Sequence, residues 1–204
     1  MLEILDPHHR VDGYEINVSC PNVKEGGLSF GTDISKVSLI TKELRKRTKK
    51  PLILKLTPNV THISEFARAA EAEGADAVSV VNTLIGMSVN IHTKKPRLST
   101  VTGGLSGPAI KPVALAKVFE TYRAVKIPIF GIGGISSWED AIEFFLVGAS
   151  AVQVGTANFL NPAAAVEISE GIVRYCETHS MSDAANLVGA MKADAGDSVI
   201  QSWL

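Results

Sequence analysis

The sequence predicts an α/β fold built on a parallel sheet, and two observations support that prediction. Short apolar runs rich in β-branched residues alternate with longer amphipathic stretches, which is the pattern of βα repetition. Most of the short runs are apolar on both faces, as buried parallel strands are. Two architectures share this pattern, an open doubly wound sheet and an eight-stranded (β/α)8 barrel. About five strands could complete the first of these but not the second.

The predicted elements follow one another regularly along the chain. Ser106, Ser137 and Asn161 are predicted to begin the helices that follow them. The segment from Leu84 to Gly107 is longer than an ordinary βα loop and predicts a hairpin or lid beside the active site. Strands are predicted at 14–19, 52–56, 77–82, 127–131 and 151–155, and helices at 33–48, 63–73, 109–125, 138–147 and 162–178.

Glycine-rich turns after the last two strands favour the barrel. A barrel enzyme often holds a phosphate with the loops after its seventh and eighth strands. Here Gly131 to Gly134 and Gly155-Thr156 follow the last two predicted strands. If these are strands seven and eight, about three strands are missing from the front. We therefore expect residues 1–204 to form a single domain, the later part of a TIM barrel.

Composition narrows the class of protein. The 204 residues carry 20 lysines and arginines against 21 aspartates and glutamates, so the formal net charge is −1, and 46% are hydrophobic. This balance excludes a disordered tail and a basic nucleic-acid-binding arm. No apolar run approaches the roughly 20 residues that cross a bilayer, and the charged first residues do not resemble a signal peptide. We expect a cytoplasmic globular protein that binds neither nucleic acid nor a membrane.

Cys20 is the first candidate for chemistry. Pro21 stops the preceding strand from continuing, which places the thiol in a loop at the carboxyl ends of the strands, where ligands bind in both architectures. A thiol with an ordinary pKa of about 8.5 can accept a proton near neutral pH. The alternative is a small buried hydrophobe, and for Cys176, inside a helical stretch, that alternative is favoured. Neither these 2 cysteines nor the 5 histidines have metal-ligand spacing, so no metal site is expected.

Lys55 and the pair Asn82-Thr83 fall at the same ends of the strands. Lys55 interrupts an apolar strand, where a buried ammonium group would cost several kcal/mol without a partner or a ligand. A lysine at a strand end can also extend to water. The Asn82 amide and the Thr83 hydroxyl could bind a planar ring that carries carbonyl and N–H groups, or they could form a plain turn.

Three glycine-rich loops indicate an anion site. Gly103 to Gly107, Gly131 to Gly134 and Gly155-Thr156 offer backbone N–H groups with no Cβ in the way, and the first two precede predicted helices. Tight βα turns also need glycine, so one such loop alone says little. Three of them together favour a phosphate-binding site.

The motifs at these strand ends resemble those of one family. The segment from Asn17 to Gly27, Asn-Val-Ser-Cys-Pro-Asn-Val-Lys-Glu-Gly-Gly, resembles the catalytic loop of class 1 dihydroorotate dehydrogenases. The resemblance extends from Asp12 to about Lys192 and corresponds to the C-terminal two-thirds of such an enzyme. Further matching segments are Leu54 to Val60, Val81 to Leu84, Gly103 to Pro112, Gly131 to Ile135 and Gly155 to Phe159.

The resemblance implies an FMN-dependent (β/α)8 barrel enzyme that oxidises dihydroorotate to orotate in pyrimidine biosynthesis. Cys20 would be the base that takes the C5 proton, while a hydride passes from C6 to FMN. The residues implied around the substrate are Asn17, Asn22, Asn82 and Thr83. Those implied around FMN are Asn17, Lys55, Val81, Gly107, Gly133, Gly134, Gly155 and Thr156.

The same residues indicate a subclass and partners. A cysteine at position 20 resembles class 1, because the membrane-bound class 2 enzymes use serine, and the continuation Lys24 to Gly27 resembles class 1B. Class 1B implies a catalytic subunit that associates with an electron-transfer subunit carrying FAD and an iron-sulfur cluster. A homo-oligomer is also expected. The sequence leaves the electron acceptor open between NAD, fumarate and others.

Other functions stay open from the sequence. The flavin domain of dihydropyrimidine dehydrogenase shares the barrel and the cysteine, although its catalytic loop usually departs from Cys-Pro-Asn-Val. A barrel isomerase or synthase acting on a phosphorylated substrate would keep the phosphate loops without a flavin. An inactive truncated barrel fragment or an interaction module would bind neither flavin nor phosphate.

Overall fold

Five parallel strands form the main sheet of the chain, and helices lie in the connections between them. The computed structural model describes residues 2–19 and 30–192. The strands are β1 (Tyr14–Asn17), β2 (Leu52–Leu56), β3 (Ala77–Val80), β4 (Leu84–Met87), β5 (Val89–Asn90), β6 (Lys95–Pro96), β7 (Thr102–Leu105), β8 (Ile129–Ile132) and β9 (Ala151–Gln153). The α-helices are α1 (Leu2–Leu5), α2 (Ile34–Arg45), α3 (Ile63–Ala72), α4 (Lys111–Tyr122), α5 (Trp138–Leu146), α6 (Ala157–Leu160) and α7 (Ala164–Thr178). Short 3-10 helices span Pro108–Ile110 and Ala184–Leu187.

The main sheet has the order β1-β2-β3-β8-β9, and all its strand pairs are parallel. This confirms the predicted α/β class and all five predicted strand positions. A doubly wound sheet reverses its strand order at a switch point. Within the described part of the chain, the order in the main sheet follows the sequence with no reversal.

The two faces of the sheet have different chemistry. One face carries Leu52, Leu54, Leu56, Val78 and Val80, each at most 1% exposed, and forms the core with the helices. Side chains in a strand alternate between faces, and parallel partners share a face. The other face therefore carries a polar set, which consists of Glu15, Asn17, Lys55, Ser79 and Gln153.

The sheet is strongly curved, with the polar face concave. The Gln153 amide nitrogen lies 2.5 Å from Oε2 of Glu15, although β9 and β1 are the opposite edges of the sheet. Four strand spacings of about 4.8 Å would separate these edges by roughly 19 Å in a flat sheet. Two side chains cannot span that distance, so the edges must bend toward each other.

The predicted hairpin between Leu84 and Gly107 is confirmed. Strands β4 and β7 pair antiparallel, and so do β5 and β6. The two ends of this insertion lie at Thr83 and Ser106, beside the carboxyl ends of the main strands.

The predicted helix starts had mixed outcomes. Ser137 begins α5 through a reciprocal capping box with Asp140, as predicted. The prediction for Ser106 was wrong, because Gly107 precedes the 3-10 turn and the Ser106 hydroxyl accepts a hydrogen bond from Thr156 instead. Asn161 does not begin α7, which starts at Ala164, because its side chain closes a separate turn by accepting from the Ala163 N–H.

Among the helices in the described ranges, none combines the length and the apolar character that crossing a bilayer requires.

Candidate functional site

A cavity of about 530 Å³ lies at the carboxyl ends of the main strands. Its volume is within the roughly 300–1,000 Å³ typical of small-molecule sites. It is lined by residues that end or follow β2, β3, β8 and β9, and by the segment that follows β7. These residues are Lys55, Val81 to Thr83, Ser106 to Pro108, Ile110, Ile132 to Ser136, Gln153 and Gly155 to Leu160.

Nine of the twelve residues that the sequence singled out line this one cavity. Asn17 is not among the lining residues, but its side-chain oxygen accepts a hydrogen bond from the Asn82 amide at 2.9 Å. Cys20 and Asn22 lie outside the described residues. The nine are Lys55, Val81, Asn82, Thr83, Gly107, Gly133, Gly134, Gly155 and Thr156.

Glycine is required at one end of the cavity by both conformation and space. Gly107, Gly133 and Gly134 have φ angles of +88°, +135° and +79°, a region that other residues rarely adopt. A Cβ on Gly134 would also lie 2.8 Å from the Gly107 carbonyl oxygen. Gly155 is different, because a Cβ there would meet nothing within 4 Å and would project into open space.

Backbone donors at this end are available to a ligand. The N–H groups of Gly134, Gly155 and Thr156 make no hydrogen bond to a backbone carbonyl within the described ranges. All three residues line the cavity. Gly155 is exposed and Gly134 and Thr156 are half-buried, so these N–H groups can bond to solvent, and they can equally donate to an anion that enters the cavity.

Amide groups form another side of the cavity. Asn82 donates to the Asn17 side-chain oxygen and, at 3.0 Å, to the Ser19 hydroxyl, while its own Oδ1 accepts from the Thr83 N–H at 2.9 Å. Sequence reasoning missed Asn59, whose amide donates to the Thr83 carbonyl at 2.9 Å and accepts from the Ile85 N–H at 3.0 Å. Asn59 thus fixes the segment that leaves β3, and with it the direction of the Thr83 side chain.

Lys55 has an anionic partner that the sequence reasoning also missed. Its Nζ lies 3.3 Å from Oε1 of Glu15, and the two side chains are 17% and 29% exposed. Oε2 of Glu15 accepts hydrogen bonds from Ser79 and Gln153. Burial alone would raise the pKa of the Glu15 carboxyl, but the hydrogen bonds from Ser79 and Gln153 and the charge of Lys55 outweigh it and hold that pKa below its ordinary value.

Two further predictions concern Cys176 and metal ions. Cys176 is 8% exposed and packs with Ile142, Phe145 and Leu187, which confirms its interpretation as a buried hydrophobe. In residues 2–19 and 30–192, no three His, Cys, Asp or Glu side chains are grouped so that they could hold a metal ion.

Comparison with known proteins identifies relatives that match most of the chain. A family model described as dihydroorotate dehydrogenase matches residues 2–175. A protein of Parabacteroides distasonis named dihydroorotate dehydrogenase B (NAD(+)), catalytic subunit, is 52% identical over 89% of this chain and 60% of its own length. Proteins with the same name from a Thermoanaerobacter species and from Pelobacter propionicus are 54% and 53% identical over 90% and 92% of this chain. The chain spans 61% and 62% of their lengths.

The Glu15 network predicts a pH-dependent contribution to stability. A carboxyl whose pKa is lowered by folding stabilises the folded state above its ordinary pKa, here 4.5, and loses that contribution as pH falls through the folded value. In urea unfolding at pH 7, the free energy of unfolding of Glu15→Gln should therefore be lower than that of the wild type. Below pH 4.5 this difference in free energy should shrink. The exposed Glu177→Gln is the control and should show no such trend. If the difference in unfolding free energy between Glu15→Gln and the wild type stayed constant below pH 4.5, the Glu15 carboxylate would not be the cause.

Proposed function

The chain belongs to the dihydroorotate dehydrogenase family, and from that premise we propose that it supplies the flavin and substrate site of an enzyme that oxidises dihydroorotate to orotate in pyrimidine biosynthesis. The observation that carries the proposal is the convergence of nine of the residues predicted from the sequence, from five separate segments of the chain, on one cavity. A cytoplasmic location and a single domain over residues 1–204 are parts of the same proposal.

We infer that the complete architecture is a (β/α)8 barrel. The curvature that brings Gln153 to Glu15 supports it, and so does the order of the main strands, which follows the chain. Barrels place their active sites at the carboxyl ends of the strands, where this cavity lies. Further strands of the barrel would lie between β9 and β1, the two edges of the sheet.

The residues at the glycine end fit the phosphate of FMN. The N–H groups of Gly134, Gly155 and Thr156, which bond to no backbone carbonyl in the described part of the chain, would donate to the phosphate, and the bound group would fill the open space at Gly155. Gly107 and Gly133 would complete this surface. FMN bound here would supply a hydride acceptor, which none of the twenty side chains provides.

Lys55 would hold the other end of the cofactor. Its ammonium group lines the cavity, and its ion pair with Glu15 limits where that group can move. A fixed positive charge there stabilises negative charge that develops on a neighbouring ring. Asn17 and Val81 would contact the same ring system.

Amide and hydroxyl groups would orient the substrate, and Cys20 would move the proton. The side chains of Asn17 and Asn82 are held by hydrogen bonds to each other and to Ser19, and the backbone N–H of Thr83 donates to Asn82, so the two amides are positioned before a ligand arrives. Asn22 would join them. Cys20, as a general base, would take the proton from C5 of dihydroorotate while C6 gives up its hydride.

The names of the relatives support a proposal about assembly. They are catalytic subunits of a type B enzyme named for NAD(+). We propose that the enzyme containing this chain is a homo-oligomer that associates with an electron-transfer subunit carrying FAD and an iron-sulfur cluster.

Gly155→Ala separates ligand binding from folding. The added methyl group meets no protein atom within 4 Å, so the thermal midpoint should stay unchanged. It would occupy the space given to the phosphate, so FMN affinity in a fluorescence titration should fall roughly tenfold or more, as for a lost hydrogen bond to a charged group. Gly103→Ala, in the hairpin and against only the end of Leu98, should keep full affinity. Unchanged FMN binding by Gly155→Ala would contradict the phosphate assignment.

Cys20→Ala tests the proposed base. In the enzyme with its complete barrel, reduction of bound FMN by dihydroorotate in stopped flow should slow by about 10²–10⁴, the usual contribution of a general base. FMN should remain bound, because the thiol is not proposed to hold it. The variant Cys176→Ala removes the buried cysteine instead, and its bound FMN should be reduced at the wild-type rate. A normal rate for Cys20→Ala would remove Cys20 from the mechanism.

A further inference from the structure

Asp140 joins α5 to the loop that follows β8. Its Oδ2 accepts hydrogen bonds from the N–H groups of Ser136 and Ser137 at 2.8 and 3.0 Å, and from the Ser136 hydroxyl at 2.9 Å. Its other oxygen, Oδ1, accepts from Nζ of Lys111 at 2.6 Å. One carboxylate therefore fixes the end of the glycine loop and the first residue of α4 together.

Lys111 is also in direct contact with the glycine loop through its backbone. A Cβ on Gly134 would lie 2.9 Å from both the backbone nitrogen and the Cβ of Lys111, and 2.8 Å from the Gly107 carbonyl oxygen. Gly134, Gly107 and the start of α4 are thus packed against one another. The Gly155-Thr156 loop is attached to the Gly107 segment, because the Thr156 hydroxyl donates a hydrogen bond to the Ser106 hydroxyl at 2.8 Å.

Neither Asp140 nor Lys111 lines the cavity. The Asp140 side chain is 13% exposed and that of Lys111 is 24% exposed, so both charges lie mostly behind the loops. Burial acts to raise the pKa of the Asp140 carboxyl, but Lys111 and Ser136 hold that pKa below its ordinary value, so the carboxylate stays charged at neutral pH. These residues can act on a ligand only through the loops that they hold.

We propose that the Lys111–Asp140 ion pair is a positioning device that sets the affinity of the site for the phosphate group of its ligand. It holds the Gly134 loop against the Gly107 segment so that their backbone donors converge on one acceptor. The inference rests on the proposed FMN site. In this proposal, Asp140 and Lys111 affect the binding of the phosphate end of the cofactor, and they do not affect the binding of its ring.

The test compares FMN with riboflavin, which has the same ring and no phosphate. In Asp140→Asn, an amide replaces the acceptor oxygen facing either Lys111 or the Ser136 N–H. FMN affinity should fall roughly 10-fold to 100-fold, the range for losing a hydrogen bond to a charged group, while riboflavin affinity should change less than twofold. Glu143→Gln is the matched control, because Glu143 also accepts from Lys111, at 3.0 Å, but makes no hydrogen bond to the loop. It should change FMN affinity less than twofold.

Lys111→Met keeps the aliphatic stem that packs on Gly134 and leaves the capping box of α5 intact. It should reproduce the selective loss of FMN affinity even if Asp140→Asn does not fold. An equal loss of FMN and riboflavin binding in Lys111→Met would mean a general structural role and overturn the inference, as would unchanged FMN binding. All titrations use the enzyme with its complete barrel. If that wild-type enzyme binds neither flavin, the proposed function itself fails, so the two failures are distinguishable.

Discussion

The contact between Gln153 and Glu15 across the concave face of the sheet is the constraint on which the site depends. These residues belong to the two edge strands of the main sheet, yet the Gln153 amide donates a hydrogen bond to the Glu15 carboxylate. Only a curved sheet permits that contact, and curvature makes the carboxyl ends of the strands converge. The end of β2 and the loops after β3, β8 and β9 therefore face one volume instead of lying along a straight edge.

Because the carboxyl ends of the strands converge, the cavity has two chemically different ends. Gly134, Gly155 and Thr156 have N–H groups that bond to no backbone carbonyl of residues 2–19 and 30–192, and the glycines at this end leave no side chain in the way. The ammonium group of Lys55 lies elsewhere on the lining and has its charge balanced by Glu15. A ligand that is anionic at one end and planar and electron-rich at the other is complementary to both, and FMN has that form.

The local pattern of residues along the sequence was enough to predict the main strands and part of the cavity lining. The apolar runs located all five main strands, and the glycines and Lys55 stood out because each breaks its local pattern. Glu15 lies in a segment that alternates apolar and polar residues, so it does not stand out, and its role depends on Ser79 and Gln153, which are 64 and 138 residues away. Ser106 has the residue type of a helix cap and instead pairs with Thr156, 50 residues later. Contacts set by the curvature of the sheet leave no mark in a local window of sequence, whereas conformational requirements such as positive φ do.

A crystal structure of the enzyme with bound FMN would show whether the glycine loops hold the phosphate. We expect phosphate oxygens at roughly 2.7–3.2 Å from the backbone nitrogens of Gly134 and Gly155, the range of a normal hydrogen bond, with the ring system beside Lys55. A phosphate group bound at the basic segment from Arg45 to Lys50, on another part of the surface, would disprove this assignment, and so would FMN lying in the cavity with its ring against the glycine loops.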